Sequence, residues 1–455
     1  QGIQSRLIPS FLALSVISAL YSPLSANWVI NESDSSQTTN SIEATITNNI
    51  TLNNKNTAIW TQSSGSGQLG SLTINEGVTI QVNKNGGKGI EINTGSVNNI
   101  TNNGVINTKG TGISINNRSS AETITIGANG SITSTNGNAI YVGNSSRVNH
   151  IDIQGATTGS GGIINRGTIG VNGTTTQPNG IKVTGSIKST NNRAAAIENM
   201  GTINGGIDVE GTLTGGTGSS HWGFHTSILN YKTINGGIKV GENATLNGGI
   251  LNVQLYNGPA SITGDITVDG TINMNGRGSA INNGYMGTVN GNIIVGENGK
   301  LGGNIWNQNR ITGKVEVKGT LTGEIRNRNN GSMIGQGIIV SGGTITNGIR
   351  NEGTVNQNIK VENSGNLQGQ GIVNQGKVEG NVQIQNSNVT NIQNTGTVTQ
   401  KIELTQNSTI QGSITNTNKI NGIDIANSQI GGNIVNSGSN ANTGAINITG
   451  TSNVG

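Results

Sequence analysis

The amino-acid sequence predicts an all-β fold: a right-handed parallel β-helix (β-solenoid) with three short strands per coil. Three observations predict this fold, and together they give about twenty to twenty-four residues per coil. An Asn recurs at a nearly constant interval, pairs of apolar residues flank a single variable residue, and Gly- and Asn-rich segments separate these units. The first observation predicts the stacking of the coils, the second the strands and the third the corners.

The recurring Asn follows an apolar residue and one variable residue. Successive Asn positions lie 20, 24, 23, 20, 22 and 20 residues apart. Equal spacing places equivalent residues of stacked coils above one another, so we expect one column of amides that hydrogen-bond as in cross-β stacks. We interpret these residues as structural. The predicted ladder consists of Asn307, Asn327, Asn351, Asn374, Asn394, Asn416 and Asn436.

Pairs of apolar residues that flank one polar residue run in step with these asparagines. Examples are Ile207–Val209, Ile238–Val240 and Val315–Val317. Alternation with a period of two is typical of a strand with one buried and one solvated face. Between such units stand turns such as residues 201–205, Gly-Thr-Ile-Asn-Gly, whose Gly and Asn accept the positive φ angles of sharp corners.

The composition indicates a thin, repetitive core. Hydrophobic residues make up 31% of the 455 residues, aromatic residues 2% and charged residues 10%, and there are 74 Gly and no Cys. A single coil buries too few Ile, Val and Leu to offset the entropy of ordering about twenty residues, so coils are stable only when stacked. Roughly sixteen coils at about 4.8 Å each predict a rod on the order of 75–80 Å long.

The N-terminal segment predicts export. Residues 11–20 form an apolar run that is too short to span a bilayer and is followed by small residues up to Ala26. We therefore predict a signal peptide over residues 1–26, shortened at its start because the chain begins with Gln1 and carries only Arg6 as an early charge. A buried strand or a capping helix is the alternative. Residues 27–60 are expected to cap the open end, and residues 61–455 to form the β-helix.

One candidate contact loop interrupts the repeat. The segment around His221, Trp222, Phe224 and His225 lies in a unit of 31 residues, so we expect it to project from the rod with its aromatic side chains exposed. The flanking Gly residues disfavour the helix that would bring two His together on a metal. We expect neither a metal nor a cofactor.

The acidic residues give little indication of catalysis. Asp208, Asp265, Asp269 and Asp424 are isolated along the repeat, and only Asp265 and Asp269 are close in sequence. A glycosidase needs two carboxylates about 5–9.5 Å apart, and outward strand and turn positions account for both residues. We expect no enzymatic activity, with a β-helix polysaccharide-degrading enzyme as an alternative. The net charge of +4 is scattered, which argues against nucleic acid as a partner.

The signal-like start followed by Gly-Thr-Ile-Asn-Gly turns and Gly-Ile-x-Val strands resembles the passenger domain of bacterial autotransporters. This resemblance covers nearly all of the chain after residue 26. It implies translocation through an outer-membrane β-barrel and an adhesin or coat protein on the surface of a Gram-negative bacterium. The implied partners are a host-cell or matrix protein or glycan, or like molecules on neighbouring cells.

One departure from that family pattern bears on the resemblance, and one short motif resembles that of an alternative class. Residues 449–455 do not resemble amphipathic membrane strands, so we expect the C-terminal β-barrel translocator to be absent from this chain. Residues 178–181, Pro-Asn-Gly-Ile, resemble a secretion motif of two-partner haemagglutinin-like exoproteins, which are the alternative class. Turnover of a polysaccharide by the purified chain would favour an enzyme, and binding without turnover would favour an adhesin.

Overall fold

The computed structural model describes residues 27–32, 35–39, 43–62, 68–171, 173, 180–216, 225–255, 258–274 and 278–455. Throughout these residues the chain is all-β and without helices, and it winds into a parallel β-solenoid of about 16 turns with roughly 24 residues per coil. Accordingly, no helix long and apolar enough to cross a membrane is found among them. The predicted signal peptide, residues 1–26, lies outside the described residues.

Three parallel sheets run along the solenoid, and each coil contributes to all three. The parallel strands of the first sheet are Thr57–Gln62, Lys88–Ile92, Ile113–Ile115, Ile140–Val142, Ile163–Asn165, Ile197–Asn199, Thr226–Asn230, Gly249–Asn252, Ser279–Asn283, Asn304–Asn307, Ile325–Asn327, Ile349–Asn351, Ile372–Asn374, Ile392–Asn394, Ile414–Asn416 and Ile434–Asn436.

The second sheet has continuous seven-residue strands in three early coils, and later coils divide this strand into two short pieces around a corner. Its strands are Ala44–Ile46, Gln68–Leu69, Leu72–Ile74, Ser96–Asn102, Ser120–Ile126, Arg147–Ile153, Thr168–Ile169, Gly180–Val183, Thr202–Asn204, Ile207–Val209, Thr233–Asn235, Ile238–Val240, Ala260–Thr263, Ile266–Val268, Gly287–Asn290, Ile293–Val295, Arg310–Ile311, Val315–Val317, Met333–Ile334, Ile338–Ser341, Thr354–Val355, Ile359–Glu362, Lys377–Val378, Val382–Gln385, Thr397–Val398, Ile402–Thr405, Lys419–Ile420, Ile423–Ala426, Asn442–Thr443 and Ile446–Thr449.

The third sheet is the shortest in strand length and leads back to the first. Its strands are Ile50–Leu52, Thr79–Val82, Val105–Thr108, Ser131–Ser134, Ala156–Gly159, Ser186–Ser189, Thr212–Thr214, Thr245–Asn247, Thr271–Asn273, Lys300–Leu301, Thr320–Leu321, Thr344–Ile345, Asn366–Leu367, Asn388–Val389, Thr409–Ile410, Gln429–Ile430 and Asn453–Val454.

The strand register and the pattern of buried residues confirm the predicted fold class. Asn307 pairs with Asn327, and Asn327 with Asn351, in successive parallel strands. In Ile207–Val209 and Val315–Val317 the two flanking residues are buried and the middle residue is partly exposed. The inward side chains of Ile, Val and Leu from all three sheets form one continuous core along the axis.

An antiparallel hairpin covers the N-terminal edge of the first sheet. Strand Asn27–Glu32 pairs antiparallel both with Ser35–Thr39 and with the first parallel strand, Thr57–Gln62. Trp28 of this hairpin is fully buried in the main core. The hairpin therefore supplies partners to an edge that would otherwise be open to pairing with another chain. Parallel pairing begins at Ala44–Ile46, within the segment predicted as the cap.

Candidate functional site

The predicted asparagines form a single column inside the first sheet. Six of the seven, from Asn307 to Asn416, donate a hydrogen bond from the Nδ2 atom to the Oδ1 atom of the Asn in the next coil, at 2.7–2.8 Å, and Asn436 accepts the last of these bonds. The same chain of bonds extends toward the N-terminus through five further residues, which the sequence analysis missed: Asn165, Asn199, Asn230, Asn252 and Asn283.

The column is structural because its amides are buried and mutually satisfied. Asn327 is fully buried, and its Nδ2 atom donates a second hydrogen bond to the carbonyl oxygen of Thr354 at 3.1 Å. A buried amide costs free energy unless its donors and its acceptor are paired, and the stacking supplies those partners in every coil. Preceding coils place Ile92, Ile115 and Val142 in this column, so the ladder begins where the chain changes from aliphatic residues to Asn.

Several outward positions of the first sheet are apolar and buried, among them Ile164 and Val373, and two such positions are adjacent. Leu229 and Leu251 are the outward middle residues of adjacent strands, yet they are only 2% and 3% exposed. They form a satellite cluster, separate from the main core, with Ala195, Tyr231 and Val253. An outward position that is apolar and buried differs from the equivalent positions further along, where Arg326 and Arg350 stand.

Beside the satellite cluster, two large apolar side chains face solvent. Tyr285 is 63% exposed and Met286 is 41% exposed, in the corner that follows strand Ser279–Asn283. Met286 has a φ of 52°, in the left-handed region that non-Gly residues rarely occupy. The backbone N–H of Gln254, in the preceding coil, donates to the carbonyl oxygen of Tyr285 at 3.1 Å. The corner thus holds an exposed aromatic ring at the expense of backbone strain.

The next strand adds a second aromatic residue to this face. Trp306 pairs in register with Asn282, and the guanidinium carbon of Arg328 lies 4.7 Å from the centroid of its ring. Such a cation–π contact holds the indole against the rod. We call the surface formed by Gln254, Asn282, Tyr285, Met286 and Trp306 the aromatic corner.

Two amide oxygens at the aromatic corner have no hydrogen-bond partner among the described residues. They are Oε1 of Gln254 and Oδ1 of Asn282, and both atoms are buried. Asn282 as a whole is only 4% exposed. Leaving a buried acceptor unpaired costs about 1–3 kcal/mol.

The predicted contact loop precedes strand Thr226–Asn230, which carries Leu229 of the satellite cluster. His221, Trp222 and Phe224 lie outside the described residues. His225 is half-buried, and its Nε2 atom lies 3.2 Å from the carbonyl oxygen of Gly215. These two residues therefore meet at the base of the segment that precedes strand Thr226–Asn230, one of the strands that carry the satellite cluster. Within the described part of the chain, no group of three or more His, Cys, Asp or Glu is arranged to hold a metal ion.

A cleft at the corner between the second and third sheets collects charged residues from several coils. The Nζ atom of Lys239 lies 2.8 Å from Glu210 and 3.8 Å from Asp208. The hydrogen bond that Lys239 donates to the carboxylate of Glu210 raises the pKa of Lys239 above its ordinary value. The cleft has a volume of about 620 Å³, and its charged lining comprises Glu210, Lys239, Glu242, Asp269, Glu297 and Lys318.

The other two predicted acids have structural partners. Oδ1 of Asp265 accepts hydrogen bonds from the backbone N–H of Asn292 at 2.7 Å and from its Nδ2 atom at 3.1 Å. Asp424 forms an ion pair with Lys401 at 2.6 Å, and this hydrogen bond lowers the pKa of the Asp424 carboxyl group. Both contacts join one coil to the next, as expected for polar residues on the outside of a solenoid.

Searches of protein-family models, of curated proteins and of solved structures returned no match for this chain.

Proposed function

We propose that this protein is an extracellular rod displayed on the surface of a Gram-negative bacterium, where it acts as an adhesin or surface coat. The observation that carries the proposal is the exposed apolar surface of the aromatic corner, where Tyr285 and Met286 face solvent. Isolated exposed apolar residues need no explanation, but a cluster on a polar rod is typical of an interaction site. The Asn ladder supports the proposal of a surface rod, because it joins successive coils and so stiffens the rod. A rigid rod holds a contact surface away from the cell.

The proposed route is that of an autotransporter passenger domain. It rests on the resemblance of the repeat and on the apolar run at residues 11–20, which suits a signal peptide. The proposed partners are an outer-membrane β-barrel translocator during export and, at the surface, a host or matrix protein or glycan or a like molecule on a neighbouring cell.

The test is attachment of the purified chain to host cells and to matrix-coated surfaces. Deletion of residues 218–225 is expected to weaken attachment while leaving the β-sheet circular dichroism unchanged. Deletion of residues 174–179, in another long connection, serves as the matched control and is expected to leave attachment intact. Equal attachment by the two deletion variants would contradict the proposal that residues 218–225 contribute to adhesion.

A polysaccharide-degrading enzyme is the second candidate, and the charged cleft favours it. Carboxylates of Glu210, Glu242, Asp269 and Glu297 line that cleft, and paired carboxylates are the chemistry of glycoside hydrolysis. Release of new reducing ends from a polysaccharide by the purified chain, abolished by Asp269→Asn, would decide for the enzyme. Binding without release would decide for the adhesive rod.

A further inference from the structure

We propose that three arginines at one corner of the rod bind the sulfate groups of a sulfated polysaccharide. They are Arg118, Arg147 and Arg166, and we call the surface that they form the arginine corner. This inference rests on the proposed adhesive function and names the class of its ligand.

The fold brings the three arginines together from separate parts of the sequence. They are 29 and 19 residues apart, and each lies where the chain passes from the first sheet to the second, in three consecutive coils. Arg147 pairs in register with Ser120 of the preceding coil and with Thr168 of the following coil. Arg118 and Arg166 stand two residues before these partners. Since neighbouring strands lie about 4.8 Å apart, the three residues follow the rod axis over roughly 10 Å.

The positive charge of the arginine corner has no carboxylate partner among the described residues. None of the ion pairs found there includes any of the three arginines. The acids of the same strands have other partners: Glu122 accepts a hydrogen bond from Asn149, and Asp152 accepts one from Gln154 at 2.7 Å. An anion that approaches the arginines therefore meets no competing carboxylate on them.

The three side chains differ in their exposure in a way that suits a bound anion. Arg118 and Arg166 are exposed, whereas Arg147 between them is half-buried, and its Nε atom has no hydrogen-bond partner among the described residues. A guanidinium group presents a planar fork of N–H donors that binds two oxygens of a phosphate at once. A sulfate ester offers its oxygens in the same tetrahedral arrangement, so the arginine corner fits a series of sulfate or phosphate groups.

The placement of the arginines favours a polysaccharide over a lipid surface. Three charges in a line along one corner match a linear polyanion, whereas lipid headgroups present a plane. Proteins that lie on a membrane also insert apolar side chains, and the large apolar residues that are exposed in the described coils stand elsewhere, at residues 285–286 and 435–448. At the proposed location outside the cell, the linear polyanions of host matrices are sulfated polysaccharides.

Fluorescence anisotropy of a labelled heparin dodecasaccharide with the full chain tests the site. We expect the double variant Arg118→Gln/Arg166→Gln to weaken binding roughly a hundredfold and to lower the slope of log Kd against log salt by about two. Adding Arg147→Gln should weaken binding further, with circular dichroism to verify folding. Lys300→Gln/Lys419→Gln is the matched control, because it removes the same charge from two exposed residues of other coils. It is expected to bind as the unmodified chain does.

Desulfated heparin, phosphatidylserine vesicles and double-stranded DNA are the competing probes. We expect each to bind at least tenfold more weakly than heparin at the same ionic strength. Absent heparin binding, equal binding by the arginine and lysine variants, or equally tight binding of any competing probe overturns the sulfated-polysaccharide site.

Attachment assays on cells treated with heparinase separate this inference from the proposed function. Loss of attachment after heparinase, together with heparin binding that depends on the arginines, supports the site. Attachment that survives heparinase overturns the role of the arginine corner in adhesion and leaves adhesion itself standing. Heparin binding that depends on the arginines, without attachment to any surface, overturns the adhesive function and leaves the polysaccharide site standing.

Discussion

The Asn ladder should make the stability of the rod depend on single buried amides. Asn351 is fully buried, accepts a hydrogen bond from Asn327 at 2.8 Å, and donates to Oδ1 of Asn374 at 2.8 Å and to the carbonyl oxygen of Lys377 at 3.1 Å. Asn351→Ala removes all three bonds. Oδ1 of Asn374 is then a buried acceptor without its donor, so we expect a loss of about 1–3 kcal/mol.

Hydrogen–deuterium exchange is the appropriate measurement, because a repeat array need not unfold in one step and a single melting temperature then has no clear meaning. A local loss of about 3 kcal/mol corresponds to more than a hundredfold faster exchange. The effect should centre on strands Ile325–Asn327, Ile349–Asn351 and Ile372–Asn374.

Asn436→Ala is the matched control, since Asn436 ends the ladder, is exposed, and receives one hydrogen bond from Asn416 and one from Thr443. We expect it to cost less than about 1 kcal/mol. Equal protection in both variants would refute the reasoning that the buried amide bonds stabilise the stack.

Two further predictions concern acid stability and close packing. Burial lowers the pKa of His150, against the opposing effects of Asp152 and the Gly180 carbonyl. As the pH falls, His150 is therefore protonated in the unfolded chain before it is protonated in the folded chain. The free energy of unfolding should consequently decrease as the pH drops below about 6.5. Urea unfolding at about pH 7.5 and about pH 5.5 should show this fall, and His150→Gln should reduce it. A Cβ atom at Gly185 would lie 2.1 Å from the Gly155 carbonyl oxygen, whereas one at Gly331 meets nothing within 4 Å. Gly185→Ala should therefore cost about 1–3 kcal/mol in unfolding assays while Gly331→Ala stays near neutral, and equal stability would contradict the packing argument.

The spacing of the asparagines predicted the repeat because, in the C-terminal coils, the connections between strands are nearly constant in length. The five earlier asparagines follow the same rule of apolar residue, any residue, Asn, as in Ile163–Asn165 and Ile197–Asn199. Their separations in the ladder are 34, 31, 22, 31 and 24 residues, because longer connections interrupt these coils. Insertions made the spacing of these asparagines irregular, although the three-residue motif itself was present in the sequence.

Neither the satellite cluster nor the aromatic corner could be predicted from the pattern of residues alone. In strand Thr226–Asn230 the sequence Ile-Leu-Asn places one aliphatic residue inward and one outward, and the residue types alone do not show that both are buried. Alternation assigns Leu229 to the solvated face, but its burial depends on neighbours such as Tyr231 and Val253, which come from corners rather than strands. Tyr285 and Met286 likewise stand in a corner, where strand periodicity gives no information.

The direction of the ladder has a physical consequence for the rod as a whole. Eleven hydrogen bonds join the twelve amides from Asn165 to Asn436, and each runs from the Nδ2 atom of one Asn to the Oδ1 atom of the Asn in the next coil. Their side-chain dipoles therefore align head to tail and polarise one another, as peptide units do in a helix. The interior carries a positive pole toward its C-terminal coils and a negative pole at Asn165, where the backbone N–H of Gly167 donates to the first amide oxygen at 3.1 Å.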